Sequence, residues 1–169
     1  MKLRKLATGF VALAIVSAGV SGPAIAQQPV LAPAAKKYTT MVLNQGVPKI
    51  DVMTTMVGQD IESIVIFSAP LTTKAGKSAG NVAGFLTDLE IGATGAEIRF
   101  RNISFMFKGG QIIANGTGEY ESADREMPVE RPSTIAIIGG TGKYLGASGE
   151  VKTRKNADGT FIHMFKLLK

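Results

Sequence analysis

From Ile61 to Leu168 the chain runs in short β-rich stretches broken by Gly, Asn and Asp, and no long segment carries a helical period. That pattern excludes most fold classes. Strands are predicted at Ile61 to Leu71, Val82 to Ile91, Glu97 to Phe107, Gln111 to Glu121, Thr134 to Ile138, Ala147 to Arg154 and Thr160 to Leu168. Tyr38 to Asn44 and Asp51 to Val57 are weaker candidates ahead of them. The connections are short, as at Lys108-Gly109-Gly110 and Asn156-Ala157-Asp158-Gly159, so successive strands read as an antiparallel meander. About eight such strands bury their edges by closing on themselves, around an interior just wide enough for side chains or one small ligand. The expectation is an all-β fold, a small closed antiparallel β-barrel of about eight strands, calycin-like in outline. Gly84, Gly116, Gly118 and Gly149 lie inside predicted strands, where glycine costs stability, and mark places where the wall bends or a ligand comes close.

The apolar run Ile135-Ala136-Ile137-Ile138 leads into Gly139-Gly140-Thr141-Gly142-Lys143-Tyr144-Leu145-Gly146-Ala147-Ser148-Gly149. A strand followed by Gly-Gly-Thr-Gly invites comparison with a dinucleotide-binding turn. That turn needs a third glycine where Leu145 stands, and a helix after it. Here the chain continues as an alternating strand into the Asp158-Gly159 turn, with no room for a βαβ unit. A phosphate loop lacks its Gly-Lys-Ser/Thr ending. The turn therefore joins two strands.

In that context Gly139-Gly140-Thr141-Gly142-Lys143-Tyr144 resembles the Gly-Gly-Thr-Gly-Lys-Phe signature of dirigent proteins. Gly146-x-x-Gly149-x-Val151-Lys152 is similar to the allene oxide cyclase branch of the same superfamily. The likeness runs from about Gly58 to Lys169 and includes Phe105-x-Phe107 ahead of a Gly-rich hairpin, and Phe161 and Phe165 in the last strand. It implies the same antiparallel barrel, a bacterial-type exported member, and a lumen that works on a small organic molecule without a cofactor.

Met1 to Ala26 reads as a signal peptide: Lys2, Arg4 and Lys5 precede an apolar stretch from Phe10 to Val20, and Ala24-Ile25-Ala26 forms a small-residue cleavage site. The apolar stretch is too short to span a bilayer comfortably, so no stable membrane insertion is expected after cleavage. Residues 27–37, with Pro29 and Pro33, read as a flexible tether, and 38–169 as a single barrel domain. Cleavage lowers the net charge from +6 to +3, because three basic residues leave and no acidic ones do. The remaining cations alternate with acids along strands instead of forming a basic patch, so nucleic acid is not an expected partner. Without cysteine, an exported domain must hold together by packing and backbone pairing alone, and thiolate chemistry is excluded. No metal site is expected. The location expected is periplasmic or extracellular.

Chemistry, if present, belongs to the lumen. In the last strand Phe161, His163, Phe165 and Leu167 share one side. His163 is the only histidine, and its ordinary pKa near neutrality makes it the natural catalytic proton shuttle; the plainer reading is a partly buried or interface histidine with one satisfied hydrogen bond. The strand Glu97 to Phe107 changes phase near Asn102, so either a bulge resets the register or one end of the lumen is polar and the other apolar. Tyr120 is the second catalytic candidate: a carboxylate such as Glu119 beside a tyrosine and an arginine would have a shifted pKa. The alternative is exterior pairing of Glu119 and Glu121 with Arg99 and Arg101. Asp60, Phe100, Asn115 and Tyr144 complete the ligand-binding candidates.

Against the resemblance, the dirigent arginine after the glycine turn falls at Ser148. The glutamate and asparagine of the cyclase's early strand fall at Val42 and Asn44, and its Gly-Asp pair is approximated by Gly58-Gln59-Asp60. Asn115-Gly116 stands for its Gln-Gly, with Gly118 where the cyclase has tyrosine. The scaffold is kept and the site residues differ. The functional expectation is a barrel that binds a small hydrophobic or amphipathic molecule. It either steers a cyclisation, isomerisation or stereoselective coupling, or carries the molecule without changing it. Family members often form trimers, so a homo-oligomer, trimer or dimer, is also expected.

Overall fold

The computed structural model describes residues 37–57, 60–91, 96–121 and 126–168, with side chains except at 54–57, 60–63, 90–91, 96 and 121. Nine strands follow one another: β1 (Tyr38–Gln45), β2 (Lys49–Val57), β3 (Asp60–Thr73), β4 (Ser78–Ile91), β5 (Ala96–Phe107), β6 (Gly110–Glu121), β7 (Ser133–Gly140), β8 (Gly149–Lys155) and β9 (Phe161–Leu168). From β2 to β9 each strand pairs antiparallel with the next, and β1 lies between β9 and β3. Eight strands thus close a barrel, as expected from the pattern, and β2 is an extra strand on β3.

The two weak early candidates share one edge of β3. Residues 60–68 of β3 pair with β2, and Leu71 to Thr73 pair with β1. Pro70, which has no N–H to give a ladder, falls between the two pairings, where its carbonyl accepts from the Gly46 N–H at 3.1 Å. The chain passes from closing strand to extra strand at that point.

The glycine-rich turn joins β7 to β8 through one turn of 3-10 helix, Gly142–Tyr144, with no α-helix behind it. The turn folds over the β5–β6 hairpin: the Lys143 N–H donates to the Gly109 carbonyl and the Thr141 N–H to the Gln111 carbonyl, each at 2.9 Å. Gly142 has φ +58, and a Cβ there would sit 2.2 Å from the Gly109 carbonyl oxygen. Only glycine fits so close a backbone approach.

The turn closes the apolar end of the barrel. Leu71, Val82, Phe105, Ile112, Val151 and Phe165 fill that end, with Phe105 and Phe165 edge to face at 4.8 Å between ring centroids. Tyr144 packs on this cluster and on Phe107, 5.1 Å between rings. The opposite end is different. β5 and β6 pair in unbroken register from Ala96 to Phe107, so no bulge in β5 explains its change of phase. Glu97, Arg99 and Arg101 share the lumen side with Ile103, Phe105 and Phe107. Of the two alternatives left by the sequence, the barrel takes the second: one apolar end and one polar end.

Candidate functional site

At the polar end the side chains leave a cavity of about 70 Å³. That volume is several times what one water needs and less than a drug-sized molecule fills. Its apolar wall is Val65, Phe67, Leu86, Ile103 and Phe161; its polar wall is Gln45, Arg101, Tyr120, Thr153 and His163. Met127, from the segment leading into β7, drops into the mouth and packs with Val65, Leu86, Tyr120 and Phe161. The segment is held by backbone and charge together. The Glu130 N–H donates to the Lys155 carbonyl at 3.0 Å, Arg154 pairs with Glu130 at 2.9 Å, and Lys155 pairs with Glu126.

His163 stands where the alternation of β9 places it, beside Phe105 and Phe165, but it is fully buried with both ring nitrogens engaged. The Gln45 side-chain oxygen accepts from Nε2 at 2.7 Å, so Nε2 carries the proton. Nδ1 then accepts from the Thr153 hydroxyl at 2.9 Å. Burial lowers its pKa from 6.5 to about 3, because an imidazolium here would lose its hydration. A proton shuttle needs a free ring nitrogen and an accessible charged form, and this histidine has neither. It ties β1, β8 and β9 together across the lumen.

Tyr120 also faces the cavity, 4 % exposed. Burial raises its pKa, and the nearby Arg101 guanidinium offsets part of that rise, with a smaller contribution from Arg99. Arg99 lies over its ring, 4.8 Å from the centroid. The hydroxyl is therefore a neutral hydrogen-bond donor around neutral pH. Glu119 does not join it: that carboxylate faces outward and meets Arg131 at 3.5 Å, and the Glu121 side chain lies outside the described residues. Both sequence alternatives are corrected for Glu119, because it partners neither Arg99 nor Arg101 and the two arginines are buried, while the pairing expected of Glu121 falls outside the described residues.

The two arginines are 1 % and 2 % exposed, yet their surroundings differ. Arg99 is ion-paired with Asp88 at 2.8 Å and with Glu97. Arg101 donates through Nη2 to the Thr117 carbonyl and the Ser133 hydroxyl, each at 2.6 Å. It has no carboxylate partner among the described residues. Room for its guanidinium comes from Gly118, where a Cβ would stand 2.9 Å from Cζ and Nη2 of Arg101; a Cβ at Gly116 would meet Ile135 at 2.7 Å. These two glycines answer to neighbouring lumen side chains, which is neither cause the sequence proposed for them.

The remaining candidates do not join the cavity. Phe100 and Asn115 pair in register with Thr117 and Asn102, on the strand faces opposite the buried Arg101 and Ala114. Tyr144 is at the other end. Asp60 opens β3, and its side chain lies outside the described residues. What the sequence reading missed is Gln45, Arg101, Met127 and Thr153. The signal for Arg101 was its parity with Ile103 and Phe105, legible once β5 is taken as one uninterrupted strand. Gln45 and Thr153 carry no signal until the β1–β9 and β8–β9 registers bring them to His163.

Compared with solved structures, the chain superposes on a pyocyanin demethylase with a TM-score of 0.57 at 24 % identity, over 78 % of this chain and 98 % of that one. It matches an exo-specific intermolecular Diels-Alderase with a TM-score of 0.52 at 14 % identity, over 79 % and 99 %. A pterocarpan synthase dirigent protein matches with a TM-score of 0.51 at 17 % identity, over 79 % and 84 %. The fold is the dirigent-type barrel. The resemblance read from the glycine turn thus holds at the level of architecture. No family model and no curated protein matches the sequence. At these identities the dirigent-type barrel is what is shared, and the side chains of the cavity carry any statement about function.

Proposed function

We propose that this dirigent-type barrel holds one small hydrophobic or amphipathic organic molecule at its polar end and steers a cyclisation, isomerisation or stereoselective coupling without a cofactor. The observation that carries this reading is the division of one cavity into an apolar wall and a wall of hydrogen-bonding groups. Such a wall fixes the orientation of a bound molecule, and orientation alone lowers a barrier by several kcal/mol. The neutral Tyr120 hydroxyl is placed to donate to an oxygen that gains charge during the reaction, and Arg101 to stabilise it. His163 acts by holding Gln45 and Thr153 in place.

A second reading, a non-catalytic carrier of the cell envelope, has one specific observation in its favour. Glu126, the carboxylate among the described lining residues, is tied to Lys155 and is not free to act as a base. Thermal-shift screening against oxylipins, phenolics and polyketide-like compounds tests the shared part, since a lumen ligand raises apparent stability with its affinity. No stabilisation by any class would sink both readings. With a ligand in hand, Tyr120→Phe separates them: lower turnover at unchanged affinity marks catalysis, and a compound bound and released unaltered by the unsubstituted protein marks carriage.

Export belongs to the same proposal, with Met1 to Ala26 as signal peptide, residues 27–37 as tether and a periplasmic or extracellular destination. Amino-terminal sequencing of protein from the envelope or medium should begin at Gln27. A homo-oligomer is supported by Met53, Ile64, Ile66 and Phe85, exposed neighbours on the outer face of β2 to β4. Light scattering decides its size.

A further inference from the structure

We infer that Arg101 is an anion-recognition group, and that the molecule this lumen takes is a small organic acid presenting a carboxylate, or an ionised enol or phenol, to the arginine. The inference rests on the lumen-binding reading above and narrows it. Arginine keeps its charge at every accessible pH and carries five N–H donors. On Arg101 two hydrogen bonds to neutral oxygens leave from Nη2. Nη1 reaches the thioether of Met127, at 3.8 Å, the guanidinium also hydrogen-bonds the neutral Tyr120 hydroxyl, and Nε is buried without any partner. Buried cations are ordinarily paired, and Arg99, two residues away on the same face, shows this barrel doing so with Asp88 and Glu97. Arg101 instead faces the cavity.

The occupant of that face is Met127, whose sulfur is a weak acceptor on a flexible, adaptable side chain. Acidic oxygens entering the cavity would displace the thioether and take Nη1 and Nε. Nε–H points to the other edge of the guanidinium from Nη1, so each would take one anionic oxygen singly, in a charge-assisted hydrogen bond. The apolar wall of Val65, Leu86 and Phe161 would then hold the ligand's hydrocarbon body. Gly118 fits the same account: a bare backbone there keeps the guanidinium seated while its free edge points to the ligand.

The test compares 1-naphthoate with its neutral isostere 1-naphthamide, by calorimetric titration into the purified protein and into Arg101→Met. The unsubstituted protein should bind the anion roughly tenfold to a hundredfold more tightly than the amide, as a charge-assisted pair requires. In Arg101→Met the preference for acid over amide should vanish, whatever affinity the two probes then share. Arg101→Lys, which keeps the charge and loses the fork, should retain only part of the preference, and serves if the methionine variant does not fold. Equal affinity of the unsubstituted protein for acid and amide overturns the inference and leaves the lumen-binding reading standing. An anion preference that survives in Arg101→Met also overturns it. Failure of both probes to bind counts against both readings together.

Discussion

Replacing His163 by glutamine removes the one histidine, and the consequence is worked from its surroundings. In the fold its pKa is held near 3 by burial, against 6.5 in an exposed chain. Between those values the unfolded chain binds a proton that the folded protein refuses. Stability due to the neutral ring is therefore complete above pH 6.5 and falls as the pH drops towards 3, by up to about 1.4 kcal/mol per pH unit. At pH 5 the loss from this residue alone is about 2 kcal/mol, from the pKa values of 6.5 and about 3.

Urea denaturation at pH 7.5 and pH 5 measures it, for the unsubstituted protein and for His163→Gln. The variant is less stable at both values, since it loses the paired contacts to Gln45 and Thr153. Only the difference between the two pH values is diagnostic, because the carboxylates shared by both proteins cancel in it. The unsubstituted protein should lose about 2 kcal/mol more than the variant on going to pH 5. A proton NMR titration gives the same answer without a variant, since the single imidazole should show no inflection between pH 5 and pH 8. An inflection near 6.5, or parallel losses in the two proteins, would refute the buried, doubly bonded histidine and restore it as a proton shuttle.

Thermal denaturation should separate the two arginines. Arg99→Met leaves Asp88 and Glu97 without their cation and costs about 3–5 kcal/mol, whereas Arg101→Met removes a charge with no carboxylate partner among the described residues and leaves the melting temperature unchanged or higher. Tyr120 should be the last of the three tyrosines to ionise in an absorbance titration. Its raised pKa adds stability that is complete below the ordinary value of 10 and is lost as the pH climbs past the folded one; ionisation of all three together would contradict its burial. Phe165→Ala, at the filled apolar end, should cost about 3–5 kcal/mol in urea denaturation with little change in probe affinity at the other end. An equal loss of binding would show that the two ends are not independent.

Strand existence and turn chemistry were legible because they are local. Period-two alternation and the Gly-Gly-Thr-Gly turn fix nine strands and the β7–β8 connection without reference to anything distant. The same periodicity set His163 on one side of the last strand with Phe161 and Phe165, whereas Tyr120 was reached through its charged neighbours and not through its phase. Arg101 was harder, because a buried arginine contradicts the rule that charge marks the outside, and the rule seemed to be kept by Glu119 and Glu121 across the hairpin. Phe100 failed for the mirror reason: an aromatic on the outer face of a barrel looks like a core residue to any local reading. Gln45 and Thr153 are ordinary polar residues until closure brings β1 beside β9, 118 residues apart at the Gln45–His163 bond. Such contacts arise only from the closed topology.

The two ends of the barrel divide the work of stability and recognition. The apolar end, with the glycine turn pinned over it, supplies burial and needs no ligand. The polar end is costly to fold, and its groups are matched with care: Arg99 with Asp88 and Glu97, Lys155 with Glu126, His163 with Gln45 and Thr153. Among the described side chains that line the cavity, the unmatched Nε of Arg101 is the one that needs a cause. A structural arginine could give way to a methionine at the cost of its hydrogen bonds to Thr117 and Ser133, because its space is already lined by Met127, Ile103 and Tyr120. Retaining the charge makes sense where the missing partner arrives from outside, and the paired experiments on Arg99 and Arg101 bear on that point through stability alone. A melting temperature that falls as far for Arg101→Met as for Arg99→Met would show that this guanidinium is already satisfied by Thr117 and Ser133, and would remove the reason for a ligand to be acidic.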